Sequence, residues 1–374
     1  MVNTMPLRDY GQTGAKVSRL GFGAMRLPTG PDGKVDLDEA ASVIRQGLDG
    51  GINIIDSMLH YHGGDSEVAV GMAIRGRARE SFYLQTKVDL YAEEKPDDTF
   101  RMRLDKALER LGTYIDFYLM HSTDLKVFEQ NWRKILGMLE KAKSAREIRH
   151  VGFSSHDLPQ NVIKLIDTGL FECVLLQYNM IDERYAGAIS HAQLKGLGVG
   201  VMGPVGGGYL AEPHELTSGL LERSGSEAAA CLRFVWDNDD IDVAFSGMST
   251  AEQVAENIRT ANRAEPLSRA EREQVKGLTE AKRKLAELYC TGCRYCLPCE
   301  HGVNIPEIFG LMNDFRVYEV ERRARTGYKW VVSGKRDASL CQECGSCLEK
   351  CPQKIPIIEQ LKEAHRTLAE PEEE

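Results

Sequence analysis

Short apolar, β-branched runs recur along residues 17–248, each closing on polar or glycine positions. They read VSRLGFGAM (17–25), NIIDS (53–57), FYLQTKV (82–88), DFYLMHS (116–122), HVGFSSH (150–156), CVLLQYN (173–179), GVGVMGPV (198–205) and VAFSGM (243–248). Between them, stretches such as LDEAASVIRQGLDGG and DTFRMRLDKALERLG place apolar residues at helical spacing. Strands that alternate with helices at intervals of roughly 25–45 residues pair in parallel through helical crossovers. Eight such units predict a closed α/β barrel of the (β/α)8, or TIM, class. Ahead of the first unit, LRDYGQTGAKVSRL predicts two short strands around a Thr-Gly turn, a hairpin able to cap the barrel floor. After the eighth, PLSRAEREQVKGL carries a capping box, Ser268 with Glu271, that opens a charged helix leading out of the barrel.

Composition narrows the setting. The chain has 374 residues, 42% hydrophobic and 28% charged, which is ordinary for a globular protein. One barrel of about 250 residues plus a small module accounts for that length. A net charge of −9 argues against nucleic acid as a partner and gives no reason to expect an anionic membrane surface. Part of the acidity is the EPEEE end, read as a solvated, frayed terminus. No apolar run reaches the ~18 residues of a transmembrane helix, and MVNTMPLRDYGQ lacks a signal-peptide core. The expected location is the cytoplasm, where thiols stay reduced and disulfides are uncommon.

Barrel enzymes carry their chemistry where strands end and βα loops begin. Those positions here are Asp56, Lys87, His121, Ser154, Ser155, Gln177, Asn179, Gly203 and Ser246. Singly, each has an ordinary explanation: an Asp after a strand caps a helix, a strand-end Lys points to water, a lone His is a satisfied core residue. Jointly, Asp56, Tyr61, Lys87 and His121 make chemical sense. A phenol near pKa 10 is a poor proton donor at neutral pH unless a nearby cation stabilises its phenolate. Lys87 supplies that charge, Asp56 holds the ammonium, and a neutral His121 orients a carbonyl oxygen. The set suits proton delivery to a carbonyl that receives a hydride.

The segment IIDSMLHYHGGDSEVAVGMAI, an Asp with a Tyr five residues later and then a Gly-rich stretch ending in Ser-Glu, resembles the aldo-keto reductase signature. FYLQTKV, DFYLMHSTD, VGFSSH, LLQYNMID, VMGPVGGGYL and FSGMSTAEQVAEN resemble that family's later motifs in the same order, so the resemblance spans residues 5–285. It implies Tyr61 as acid/base, Lys87 and Asp56 as its tuning partners, and His121 as the substrate-orienting residue. It also implies NAD(P)H as cofactor, held at Ser154, Gln177, the Gly203–Gly208 loop with Gly206 and Gly207, Ser249, Gln253, Glu256 and Asn257. Members that prefer NADP grip the 2′-phosphate with Lys or Arg beside the eighth strand. Gly247, Met248 and Gln253 stand there in this chain, with Arg259 as the nearest cation. The sequence therefore leaves the choice between NADH and NADPH open.

The tail poses a separate question, since eight of the ten cysteines lie beyond residue 289. Cys341, Cys344, Cys347 and Cys351, followed by Pro352, form the C-x2-C-x2-C-x3-C-P run of bacterial ferredoxins. Zinc sites normally use two separated pairs, a pattern these triplets fit poorly. In the first run, Cys290, Cys293, Cys296 and Cys299, one residue is missing before the fourth cysteine and Glu300 replaces the proline. The runs are nonetheless repeats: Cys290, Cys293, Cys296 and Leu297 recur 51 residues later as Cys341, Cys344, Cys347 and Leu348. The simplest reading is two [4Fe–4S] clusters with crossed fourth ligands, Cys290, Cys293, Cys296 with Cys351 and Cys341, Cys344, Cys347 with Cys299. A single cluster is the alternative. IPEIFGLMNDFRVYEVERRARTG between the runs has helical spacing, with Pro306 suited to a first turn. The tail thus resembles the α-helical ferredoxin modules of multi-subunit oxidoreductases. The expected domains are a reductase barrel over 1–285 and a mainly α-helical ferredoxin-like iron–sulfur domain over 286–374.

A nicotinamide moves two electrons as hydride, whereas each cluster passes one. Three functions follow. The first is carbonyl reduction or alcohol oxidation with NAD(P)H, the clusters being structural or redox-sensing. In the second, single electrons are exchanged with a ferredoxin or flavoprotein partner through the tail. The third is a regulatory barrel that binds cofactor and turns over little. Cys173 and Cys231 read as ordinary buried thiols, one in a strand and one in a helix.

Overall fold

The computed structural model describes residues 5–89, 96–263, 265–287, 290, 295–351 and 354–369. Cys293, Pro352 and the EPEEE end lie outside the described residues. Two antiparallel strands come first, β1 (Leu7–Asp9) and β2 (Lys16–Ser18), with Leu7 opposite Ser18 and Asp9 opposite Lys16. Then follow β3 (Leu20–Gly23), β4 (Ile54–Asp56), β5 (Tyr83–Val88), β6 (Ile115–Met120), β7 (Ile148–Ser154), β8 (Cys173–Gln177), β9 (Gly198–Met202) and β10 (Val243–Gly247). These eight close a parallel barrel in the order β10-β3-β4-β5-β6-β7-β8-β9. Every residue of β6 is buried, as a strand covered on both faces requires. The run read as 17–25 is shorter than expected because Lys16–Ser18 pairs in the hairpin instead. At that point the Ser18 hydroxyl donates to the Leu20 carbonyl and accepts from the Asn53 amide.

The hairpin closes the floor through one side chain. Tyr10 is fully buried in a cluster with Ile54, Phe117, Leu119, Cys173, Leu175, Val243 and Phe245. Its ring meets Phe117 edge-on at 4.9 Å. Gly198 makes the space, since a β-carbon there would lie 2.7 Å from the Tyr10 ring. With one end plugged, the polar ends of the strands are the open end. Cys173 and Cys231 are buried, the first in β8 and the second in the helix Glu227–Trp236; burial drives the Cys231 thiol up to about 12.

The chain divides into two compact units, one of Met1–Ala211 with Leu220–Leu267, the other of Glu212–Gly219 with Ser268–Glu374. The boundary expected at 285/286 falls inside the helix Arg269–Glu287, which groups with the tail. Its capping box forms as expected: the Ser268 amide donates to Glu271 at 2.6 Å and the Glu271 amide donates to the Ser268 hydroxyl at 3.2 Å. Within the second unit, Lys282 of this helix pairs with Glu215 at 3.1 Å and Glu319 at 3.4 Å, which ties the segment 212–219 to it. The remaining elements of this unit among the described residues are helical, chiefly Ile305–Arg316, Glu321–Ser333 and Ile357–Ala369. Pro306 sits in the first turn of its helix. Ile308, Phe309, Met312, Tyr328, Val331, Ile357 and Leu361 form the core, and Cys290, Cys296, Cys299, Cys341 and Cys347 pack against it. Among the described residues no helix is long and apolar enough to cross a membrane.

Candidate functional site

Each rim position anticipated from the sequence stands at the C-terminal end of a barrel strand or one or two residues past it. Three of the four anticipated catalytic side chains meet directly. Asp56 ends β4 and Lys87 lies in β5, and the register that sets Asp56 beside Gln85 brings the two side chains together. Lys87 Nζ lies 2.6 Å from both Asp56 oxygens and 2.8 Å from the Ser57 carbonyl. It also lies over the Tyr61 ring, 5.1 Å from its centre. Tyr61 opens a short 3-10 turn, Tyr61–Gly64, in which His62 and Gly63 take positive φ. The His121 Nδ1 atom instead lies 2.6 Å from Asp89 Oδ1.

Burial works against the ammonium of Lys87, but the neighbouring Asp56 carboxylate and Tyr61 phenol outweigh it and raise the Lys87 pKa. Lys87 is therefore a fixed cation at neutral pH. For Tyr61, burial raises the pKa and Lys87 pulls it down; burial wins, and the phenol stands above its ordinary value. This corrects the expectation that the amine makes Tyr61 a stronger acid than a free tyrosine. Lys87 only moderates what desolvation does, because the ring is withdrawn from water while Asp56 and Asp89 oppose the phenolate. At Asp89, burial raises the carboxyl pKa, but the His121 bond and the charges of His121, His60 and Arg103 bring it below its usual value.

The anticipated cofactor positions form an arc over β7 to β10. The Ser154 hydroxyl accepts from the Ser122 amide at 3.1 Å. Asn179 donates to the Gly203 carbonyl at 2.9 Å. Gly203, Gly206, Gly207 and Gly208 all have positive φ, and a β-carbon on Gly203 would lie 2.5 Å from Gln177 Nε2. Only glycine allows this path, and it leaves backbone open for close approach by a pyrophosphate. Gln253 accepts from the Ser249 amide at 2.7 Å. Two positions are engaged in holding the fold: Glu256 accepts from the Ser226 hydroxyl, and buried Asn257 donates to Ser246 at 3.1 Å.

In the second unit, Cys299, Cys341, Cys344 and Cys347 line one pocket, the four thiols assigned together from the repeat. Cys296, assigned to the other set, also lines it. Burial raises the Cys347 thiol, and the sulfurs of Cys341, Cys344 and Cys299 add to that, a measure of how near they stand. Cys290 packs on the adjoining core and Cys351 is buried in it. Cys299, Cys341, Cys344, Cys347 and Cys351 form no disulfide. Among the described residues no three His, Cys, Asp or Glu side chains are grouped to hold a single metal ion. A thiol-lined pocket suits a cluster, whose ligands stand around a volume.

Sequence reasoning missed three residues. Gln85 is buried, accepts from the Tyr10 hydroxyl at 3.3 Å and donates to Asp56 at 2.8 Å, so hydrogen bonds run from the floor to Lys87. An amide at an inward strand position next to Lys87 was the available signal. Asp89, a carboxylate just past β5, was legible as a rim residue. Arg26, just past β3, lies closer to the glycine loop than the sequence distance suggests; nothing in the sequence marks it.

A family model described as "Aldo/keto reductase family" matches residues 19–224. A second, described as "4Fe-4S dicluster domain", matches residues 289–355. L-galactose dehydrogenase from Arabidopsis thaliana is 28% identical over 286 residues, 70% of this chain and 89% of that protein. NADH-specific methylglyoxal reductase from Escherichia coli is 27% identical over 191 residues, 46% of this chain and 58% of that one. Among solved structures, the holo form of an aldo-keto reductase from Bacillus halodurans superposes with a TM-score of 0.62 at 27% identity, covering 73% of this chain and 96% of that one.

Proposed function

This chain belongs to the aldo/keto reductase family, and we propose that its barrel reduces a small carbonyl compound, or oxidises the matching alcohol, with NAD(P)H. The observation that carries this reading is Lys87 Nζ held between Asp56 and Tyr61. A nicotinamide bound there would supply or accept the hydride. Tyr61, its phenol above the ordinary pKa and so fully protonated at neutral pH, gives its proton to the carbonyl oxygen. The fixed charge of Lys87 stabilises the phenolate left behind, and Asp56 keeps Lys87 charged and in place. His121, with Nδ1 held by Asp89, orients the carbonyl. Ser154, Gln177, Gly203, Gly206, Gly207, Ser249 and Gln253 would hold the cofactor, with Glu256 and Asn257 supporting that arc. The similarity to L-galactose dehydrogenase and to methylglyoxal reductase makes methylglyoxal-like oxoaldehydes and aldoses the first substrates to test.

Two [4Fe–4S] clusters complete this reading, one on Cys341, Cys344, Cys347 and Cys299, the other on Cys290, Cys293, Cys296 and Cys351. The thiol-lined pocket supports the first set. Bound clusters supply one-electron chemistry, and their thiolates suit the reducing cytoplasm. The same pocket favours a second reading, in which a ferredoxin or flavoprotein exchanges electrons with the tail. One anaerobic experiment tests both. NADH or NADPH is added with a panel of oxoaldehydes, aldoses and quinones while absorbance at ~340 nm and the broad cluster band near ~400 nm are followed. Steady cofactor oxidation that falls about 10²–10⁴-fold in Tyr61→Phe, with cofactor affinity unchanged, supports the first reading. No turnover across the panel, with the cluster band bleaching on cofactor addition, moves the conclusion to the second.

A further inference from the structure

The hydrogen bonds that join the barrel floor to Lys87 run in one direction only. Asp56, Gln85 and Tyr10 are all buried. Paired with Lys87, Asp56 is a carboxylate and can only accept, so the end of the Gln85 side chain 2.8 Å from its Oδ1 is the NH2 group. The amide oxygen therefore faces Tyr10 and, at 3.3 Å, takes the hydroxyl proton. Burial raises the Tyr10 pKa above its ordinary value, and Cys173, Asp242 and Asp56 push the same way, so that proton stays in place. Cys173, packed in the same cluster, is a weak acceptor and does not compete for it. Gln85 and Lys87 lie two residues apart on one face of β5, and Gln85 stands opposite Asp56 in the ladder. Both side chains thus converge on one carboxylate, with Lys87 on its two oxygens at 2.6 Å and Gln85 on Oδ1.

Resting on the reading of Asp56, Lys87 and Tyr61 given above, we propose that Gln85 is a positioning residue for carbonyl reduction, set in its working orientation by Tyr10 at the barrel floor. Gln85 shares the charge of Asp56. Without that donor the carboxylate turns its whole demand on the ammonium, and less of the Lys87 charge is left for the phenolate of Tyr61. Tyr10 acts one step further back. Its hydroxyl keeps the amide from turning over, which would set the amide oxygen against the carboxylate.

The test compares the full chain with Gln85→Met, Gln85→Glu and Tyr10→Phe in steady-state reduction of methylglyoxal, with kcat and KM followed from about pH 5 to 9. Gln85→Met should lower kcat about ten- to a hundredfold and leave KM within about twofold, because Lys87 acts on the phenolate formed at the barrier and not on the bound carbonyl. Tyr10→Phe, which removes one hydroxyl at the far end, should lower kcat about three- to tenfold with KM unchanged. In Gln85→Glu the introduced carboxyl faces Asp56, Lys87 and Tyr10, with Cys173 and Asp242 behind Tyr10. Protonated, it donates to Asp56 as the amide does; ionised, it repels Asp56. The kcat of this variant should therefore stand nearest wild type at the acid end and fall as pH rises, a step absent from wild type. A kcat in Gln85→Met within about twofold of wild type overturns the proposal, as does a Gln85→Glu loss equal at every pH, which marks packing alone. Should Gln85→Met fail to fold, Tyr10→Phe settles the matter: wild-type kcat overturns the proposal, and a lower kcat at unchanged KM supports it. Should wild type reduce no carbonyl, the reading of the site falls, a result distinct from these. The positioning of Asp56 is then judged by the thermal midpoints of Tyr10→Phe, Asp56→Asn and the double variant: shifts that add overturn it, and shifts that do not add support it.

Discussion

Lys87 shows how a buried charge is stabilised inside a barrel. Its ammonium has three protons, donated to the two Asp56 oxygens and the Ser57 carbonyl. Neither Lys87 nor Asp56 is tolerable alone, because removing one partner leaves an uncompensated charge in a low dielectric. Lys87→Met should therefore cost about 3–5 kcal/mol in urea unfolding, on top of its effect on turnover. Adding Asp56→Asn to that variant should restore part of the loss, since the amide carries no charge to strand. A single variant as stable as wild type would mean that the pair is not buried as described. Residue types announced this group, because an Asp, a Tyr and a Lys at barrel rims are visible in the sequence. The sign of the Tyr61 shift was not, because desolvation depends on everything packed around the ring.

At the level of elements, β7 and β8 are joined by a carboxylate as well as by their ladder. Burial pushes Glu172 up, but hydrogen bonds from His150, Lys143 and the Val151 amide hold it at about 2. In the unfolded chain the same group titrates near ~4.3. Protonation therefore costs the folded state more than the unfolded one, and the stabilisation is complete above ~5 and lost as pH falls through about 2. Glu172→Gln should narrow the stability gap to wild type progressively over that window, measured by denaturant midpoints at stepped pH. A gap that stays constant from neutral to acid pH would show that the bonds matter and the charge does not. The eight strands were legible because parallel strands buried on both faces are short apolar runs bounded by polar residues. Their ends were less so: Lys16–Ser18 belongs to the hairpin, and a residue in a short extended stretch reads alike in either partnership.

For the whole molecule, the tail is the part whose chemistry can be counted. After anaerobic reconstitution, two clusters give about eight iron and eight sulfide per chain, and one gives about four. Cys347→Ala should remove one cluster and leave the barrel's cofactor binding intact, whereas Cys173→Ser, at a buried thiol in β8, should leave the count unchanged. About four iron in wild type, abolished by Cys347→Ala and untouched by Cys290→Ala, would establish a single cluster. By itself the sequence determined the alternation of strand and helix, the cysteine spacing, the capping box of Ser268 with Glu271 and the rim positions of Asp56, Tyr61 and Lys87. All of these are local patterns, written within one or two turns or repeats of the chain. Only the tertiary structure decided that Arg26 meets Gly207, that Asp89 holds His121, that Gln85 links Tyr10 to Asp56, and that the helix Arg269–Glu287 groups with the tail. Those outcomes depend on which strands lie side by side and how far each side chain is drawn from water, and neither quantity exists until the barrel has closed.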